Sequence, residues 1–162
     1  MKFCLLLLLV LTCACEKNNN TTWAEFNEKM GNEPGASFIA DYMLLVNNHR
    51  KSLGLVPLIH DTGLAVIAKS HSSEMANGES SFGHTGFSER CAEAKLVLGG
   101  GNLCSENVAM GQKTPALVFT SWMGSSGHRA NIEQSRSTHT GFGYKQNDYG
   151  IYYWTQIFIE LD

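Results

Sequence analysis

A chain of 162 residues is long enough to bury a full hydrophobic core in one domain. It carries 12 Lys and Arg against 15 Asp and Glu, for a formal charge of -3, and its basic residues are scattered. With no basic cluster to neutralise a run of phosphates, a nucleic-acid partner is excluded.

Residues 1–14 read as a targeting signal. Lys2 is a minimal positive start, Phe3 and the run Leu5 to Leu11 form an apolar segment, and Ala14 is a small residue directly before Cys15. The run is shorter than the ~20 apolar residues that a membrane-spanning helix needs. Thr12-Cys13-Ala14-Cys15 resembles the lipobox of bacterial lipoproteins, in which a cysteine after a small residue is acylated and becomes the mature N-terminus. The resemblance implies lipidation at Cys15 and membrane contact through an N-terminal lipid anchor. It departs from the pattern at Thr12, where lipoproteins carry an aliphatic residue. An ordinary secretory signal is the alternative, and on either reading the mature chain is extracytoplasmic. Of five cysteines, only Cys91 and Cys104 then lie in the body, and in an oxidising compartment they are expected to pair. Residues 15–35 are polar apart from Trp23 and Phe26 and read as a tether, leaving 36–162 as the domain.

Ser37 is a suitable N-cap for a first helix running to about Leu53, with Gly54 ending it. Phe38, Tyr42 and Leu45, with Ile39, Met43 and Val46 on the adjacent row, give it a wide apolar stripe. Asn47, Asn48, His49 and Arg50 fall on its last turns as a polar face whose charges suit the helix dipole. Pro57 makes Leu55–His60 an extended link. Asp61 caps a second helix over Thr62–Asn77, stopped by Gly78, and His71 on its apolar side is expected to be a core histidine with a hydrogen-bond partner. Glu89 to Leu98 forms a short helix closed by Gly99-Gly100-Gly101. Thr114 and Pro115 start a helix through Trp122, with Leu117, Val118 and Trp122 expected to face inward.

Thr138 to Lys145 and Gly150 to Glu160 then change to a strand period and form an antiparallel hairpin. In the last strand Ile151, Tyr153, Ile157 and Ile159 alternate with Tyr152, Trp154 and Phe158, so both faces should be covered. Helices early and strands late predict an α+β fold, a three-layer α-β-α sandwich around a central, mainly antiparallel sheet.

Three segments set a proton-exchanging or metal-liganding side chain beside a glycine or a small residue. They are Phe82-Gly83-His84-Thr85-Gly86, Ser105-Glu106-Asn107-Val108-Ala109, and Trp122-Met123-Gly124-Ser125-Ser126-Gly127-His128-Arg129-Ala130-Asn131-Ile132. Followed by Thr140-Gly141-Phe142-Gly143-Tyr144 and Tyr153-Trp154-Thr155-Gln156-Ile157-Phe158, they resemble the bacterial branch of the CAP superfamily, also called the SCP domain, over about Phe38 to Phe158. The resemblance implies the same sandwich and a cleft holding His84 and Glu106. Eukaryotic members complete a metal-binding tetrad with a second Glu and a second His. Here Ser125 and Tyr153 stand at those positions, and His128 of the Gly-His-Arg-Ala-Asn-Ile motif takes the role of second histidine.

Two imidazoles and a carboxylate can hold zinc or another divalent metal with an open position, act as an acid/base pair, or stitch loops together. Arg129 and Asn131 are expected to fix their loop, and His139 to pack at a strand start. Ser125 and Ser126 lack the Gly-x-Ser-x-Gly turn of a serine nucleophile. The expected function is a binding module for a small ligand, lipid or peptide, with or without a divalent metal. The alternatives are a metal-dependent hydrolase or protease using His84, His128 and Glu106, and a surface protein acting on a partner cell.

Overall fold

The computed structural model describes residues 36–161, so the signal, Cys15 and the tether with Trp23 and Phe26 lie outside the described residues. In chain order the elements are α1 (Ala36–Ser52), β1 (Ile59–His60), α2 (Thr62–Asn77), α3 (Phe87–Leu98), β2 (Cys104–Met110), α4 (Pro115–Gly124), α5 (Ser126–Ile132), β3 (His139–Gln146) and β4 (Tyr152–Ile159). The sheet order is β1-β3-β4-β2. Both β3 and β2 run antiparallel to β4, while β1 is parallel to β3.

Local chemistry sets most boundaries. Asp61 is extended and its Oδ1 accepts the Leu64 amide at 2.8 Å, while Gly78, at φ 75°, closes the other end of α2. Thr114 accepts the Leu117 amide ahead of Pro115 at the start of α4. α1 begins one residue before Ser37, which therefore lies in the first turn and not at the cap. α3 begins at Phe87, two residues earlier than expected. β4 starts at Tyr152 because Asn147 Oδ1 accepts the amides of Tyr149 and Ile151 and holds 147–151 as a turn, leaving Ile151 outside the strand.

The sheet is covered on both faces, as the two apolar rows of β4 require. Trp154 and Phe158 pack with Phe142 against Tyr42, Met43 and Val46 of α1, Val118 and Trp122 of α4, and Ile132 of α5. Ile157 and Ile159 pack on the other side against Leu64, Ile67 and Ala68 of α2 and Ala94 of α3. The result is the three-layer sandwich. Leu117 is 53% exposed instead of facing inward. The buried stripe of α4 is Pro115, Val118 and Trp122, and one residue before Val118 turns the side chain ~100° away from it. Phe119 and Met123 flank the core in its place.

α2 lies unusually close to β3. A Cβ at Gly141 would stand 2.1 Å from the Leu64 carbonyl carbon, and one at Gly143 would stand 2.4 Å from the Lys69 nitrogen. These glycines let helix backbone rest on strand backbone, which fixes the height of the layer that carries the His84 loop.

Candidate functional site

β2 is an edge strand, and its alternation sends neighbouring side chains to opposite layers. Glu106 meets residues of the α2–α3 layer, whereas Asn107 meets α5. The side chain of Glu106 is only 1% exposed. Arg90 of α3 clamps it with two charge-assisted bonds, Nε to Oε2 and Nη2 to Oε1, each 2.8 Å. His84 Nδ1 lies 2.9 Å from Oε1. A carboxylate held by a guanidinium only accepts, so Nδ1 is the donor, which leaves Nε2 without a hydrogen on a neutral ring whose side chain is 51% exposed.

The loop that carries His84 is fixed from beneath and from the side. His71, fully buried on α2, places Nε2 2.8 Å from the Gly83 carbonyl, in keeping with its expected core role. Arg90 Nη1 donates to the Thr85 carbonyl at 2.6 Å. Gly86, at φ 76°, turns the chain into α3. The disulfide between Cys91 and Cys104 forms as expected, with the two Cα atoms 6.0 Å apart. It joins the residue after Arg90 to a residue two before Glu106, so the ion pair sits beside a covalent staple.

His128 reaches the same edge from α5. Its carbonyl accepts from Asn107 Nδ2 at 3.0 Å, and Asn131 Nδ2 donates to Asn107 Oδ1 at 2.8 Å and to the Glu106 carbonyl at 3.3 Å. The C-terminal end of α5 is held by Arg50, fully buried, which donates to the carbonyls of Val56, Ile132, Gln134 and Ser137. Burial, and then the charge of nearby His84, lower the His128 imidazole below its ordinary value, which keeps it neutral near pH 7. The two imidazoles are thus electrostatically coupled, and His84 is backed by a buried carboxylate.

The remaining sequence candidates fall elsewhere or serve structure. His49 pairs with Glu133 at 2.9 Å and lies against Phe119. His139 stands at the start of β3 beside Thr138, and burial lowers it. Asn131 fixes its segment as expected, while Arg129 is exposed on α5. Ser125 is the N-cap of α5 and makes no side-chain capping bond.

Among the described residues no group of three or more His, Cys, Asp and Glu stands so that it could hold a metal ion. The three-ligand set expected from His84, Glu106 and His128 is not assembled in this arrangement. Both Glu106 oxygens already accept from Arg90, and a guanidinium at that distance repels an incoming cation. A groove of about 520 Å³ borders the His84 loop, with Glu74, Glu79, Thr85, Glu89, Arg90 and Glu93 among its lining residues.

Sequence reasoning missed Arg90 entirely. The signal was available: Arg90, Ala94 and Leu98 fall at i, i+4 and i+8, so an arginine occupies the apolar face of α3. Such a position demands buried acceptors for the guanidinium, and a carboxylate on a facing strand is one group that can supply them.

Residues 43–158 match the cysteine-rich secretory protein family, CAP. The uncharacterized protein YkwD of Bacillus subtilis (strain 168) is 33% identical over 146 residues, covering 89% of this chain and 52% of that protein. The chain therefore spans about half the length of this curated relative. An extracellular protein containing an SCP domain from Bacillus anthracis is similar in structure, with TM-score 0.65 and 27% identity over 75% of this chain and 40% of that one. An outer surface protein from Borrelia burgdorferi shares the fold, with TM-score 0.68 and 19% identity over 80% of this chain and 96% of that one.

Proposed function

The chain belongs to the cysteine-rich secretory protein (CAP) family, and from that membership we propose that it works outside the cytoplasm as a binding module. Its cleft, between His84 and His128, takes a small ligand, lipid or peptide. The observation that carries this reading is the state of Glu106, buried and with both oxygens engaged, which makes it a support for His84 and not a reacting group. His84 then offers a fixed acceptor at Nε2, His128 offers a neutral imidazole, and among the described residues neither is hydrogen-bonded to a serine that could serve as nucleophile. A signal-like N-terminus and a disulfide fit an extracytoplasmic address, with a lipid anchor at Cys15 as the membrane contact.

Metal-dependent hydrolysis needs Glu106 as ligand or general base, and the guanidinium on it weighs against both roles. The experiment that separates the two readings is elemental analysis of protein purified without a histidine tag or chelator, beside His84→Ala. The binding reading expects no stoichiometric divalent metal in either. One equivalent present in the wild type and lost in His84→Ala would overturn the metal-free form of this reading and make a substrate screen for the hydrolase the next step. Small molecules retained from an envelope extract, identified by native mass spectrometry and released by His84→Ala and His128→Ala, would identify the ligand.

A further inference from the structure

We propose that Arg90 is the positioning residue of this site: by engaging both oxygens of Glu106 and the carbonyl of Thr85 together, it forces His84 to donate through Nδ1 and to face the cleft with an acceptor at Nε2. This rests on the reading of His84 as the ligand-facing group. Arg90 is 8% exposed and has three donors committed, two to the carboxylate and one to the backbone next to His84. It therefore holds both members of the His84–Glu106 pair, and the disulfide at the next residue holds Arg90 to the strand that carries Glu106.

The direction of the His84 hydrogen bond depends on this clamp. With the guanidinium present, Glu106 is an anion that can only accept. Without it, a carboxylate whose side chain is 1% exposed would have His84 as its one remaining donor among these contacts, and an uncompensated buried charge is strongly disfavoured. The pair then takes up one proton from solvent, and whether it rests as a carboxylic acid donating to Nδ1 of an Nε2–H ring or as an imidazolium donating to the carboxylate, Nε2 carries a hydrogen. The outward atom changes from acceptor to donor, which reverses the kind of ligand group that fits the cleft.

The test reads the His84 tautomer by long-range ¹H–¹⁵N NMR of the full chain labelled in histidine, near neutral pH. The wild type should show Nδ1–H. Arg90→Met should shift His84 to a majority of Nε2–H, while Arg90→Lys, which keeps a cation beside Glu106, should retain Nδ1–H. A folded Arg90→Met in which His84 stays Nδ1–H would overturn the proposal. If Arg90→Met does not fold, Arg90→Gln, which keeps a polar side chain without the charge, is read in the same way: His84 should move to Nε2–H, and retention of Nδ1–H refutes the clamp. The readout needs no ligand. A tautomer that follows Arg90 in a protein whose ligand capture survives His84→Ala would leave the clamp standing and remove only the binding role of His84.

Discussion

Both ring nitrogens of His60 are out of contact with solvent, and burial lowers this imidazole to about 4 despite the neighbouring Asp61 charge and a backbone bond to Phe142, which act the other way. Folding therefore depends on pH with a definite sign. The unfolded chain binds a proton on His60 below its ordinary value of 6.5, and the folded chain resists it until about 4. Stability from this residue is fully present above 6.5, falls through that window as pH drops, and amounts to ~3 kcal/mol. His128 and His139 are lowered as well and act in the same direction. Urea denaturation at about pH 7 and about pH 4.5 should show a large loss for the wild type and a smaller one for His60→Leu; equal losses would discount His60 as the cause. The sequence reading passed over His60 as part of an extended link. Its burial arises from parallel pairing with Thr140, a partner that local patterns cannot reveal. Arg90 differs, since its place on an apolar face was legible, and only its partner on β2 needed the fold.

Between elements, the packing of α2 on β3 leaves no room for a side chain at Gly141 or Gly143, where helix backbone and not a flexible side chain is the neighbour. Gly143→Ala should cost at least the ~1–3 kcal/mol typical of overpacking, because a helix cannot shift as a rotamer can. Gly124→Ala, at a helical position with nothing within 4 Å, should be neutral or stabilising. The contrast in thermal midpoints is the check, and equal midpoints would mean that α2 can lift from the sheet. Elements with strong local signals were legible: Asp61 and Gly78 bound α2, and Thr114 with Pro115 starts α4. β2 and α5 were not recognised as a strand and a helix. β2 spends Glu106 and Asn107 on the site instead of on an apolar alternation, and α5 is seven residues with no apolar repeat. The residues that carry chemistry hid the elements that carry them.

For the whole molecule, the layered architecture was legible because β4 is apolar on both faces and must be covered twice. The separation of Glu106 and Asn107 into opposite layers was not, since it needs the register of β2 on β4. The Cys91–Cys104 bridge should contribute ~3 kcal/mol on the chain-entropy account, as judged from urea midpoints of the wild type and of Cys91→Ala with Cys104→Ala. Coincident midpoints would remove that contribution. Cys104 packs only at the margin of the second cluster and neither cysteine belongs to the buried residues of either, so the double variant should remain folded at ambient temperature. The same bridge matters when the chain is drawn out by its ends. The 13-residue separation it closes keeps about 40 Å of contour out of any extension, so a molecule under tension in an oxidising medium is shorter by that length than a reduced one, and the added reach is released only when a reductant cuts the bridge.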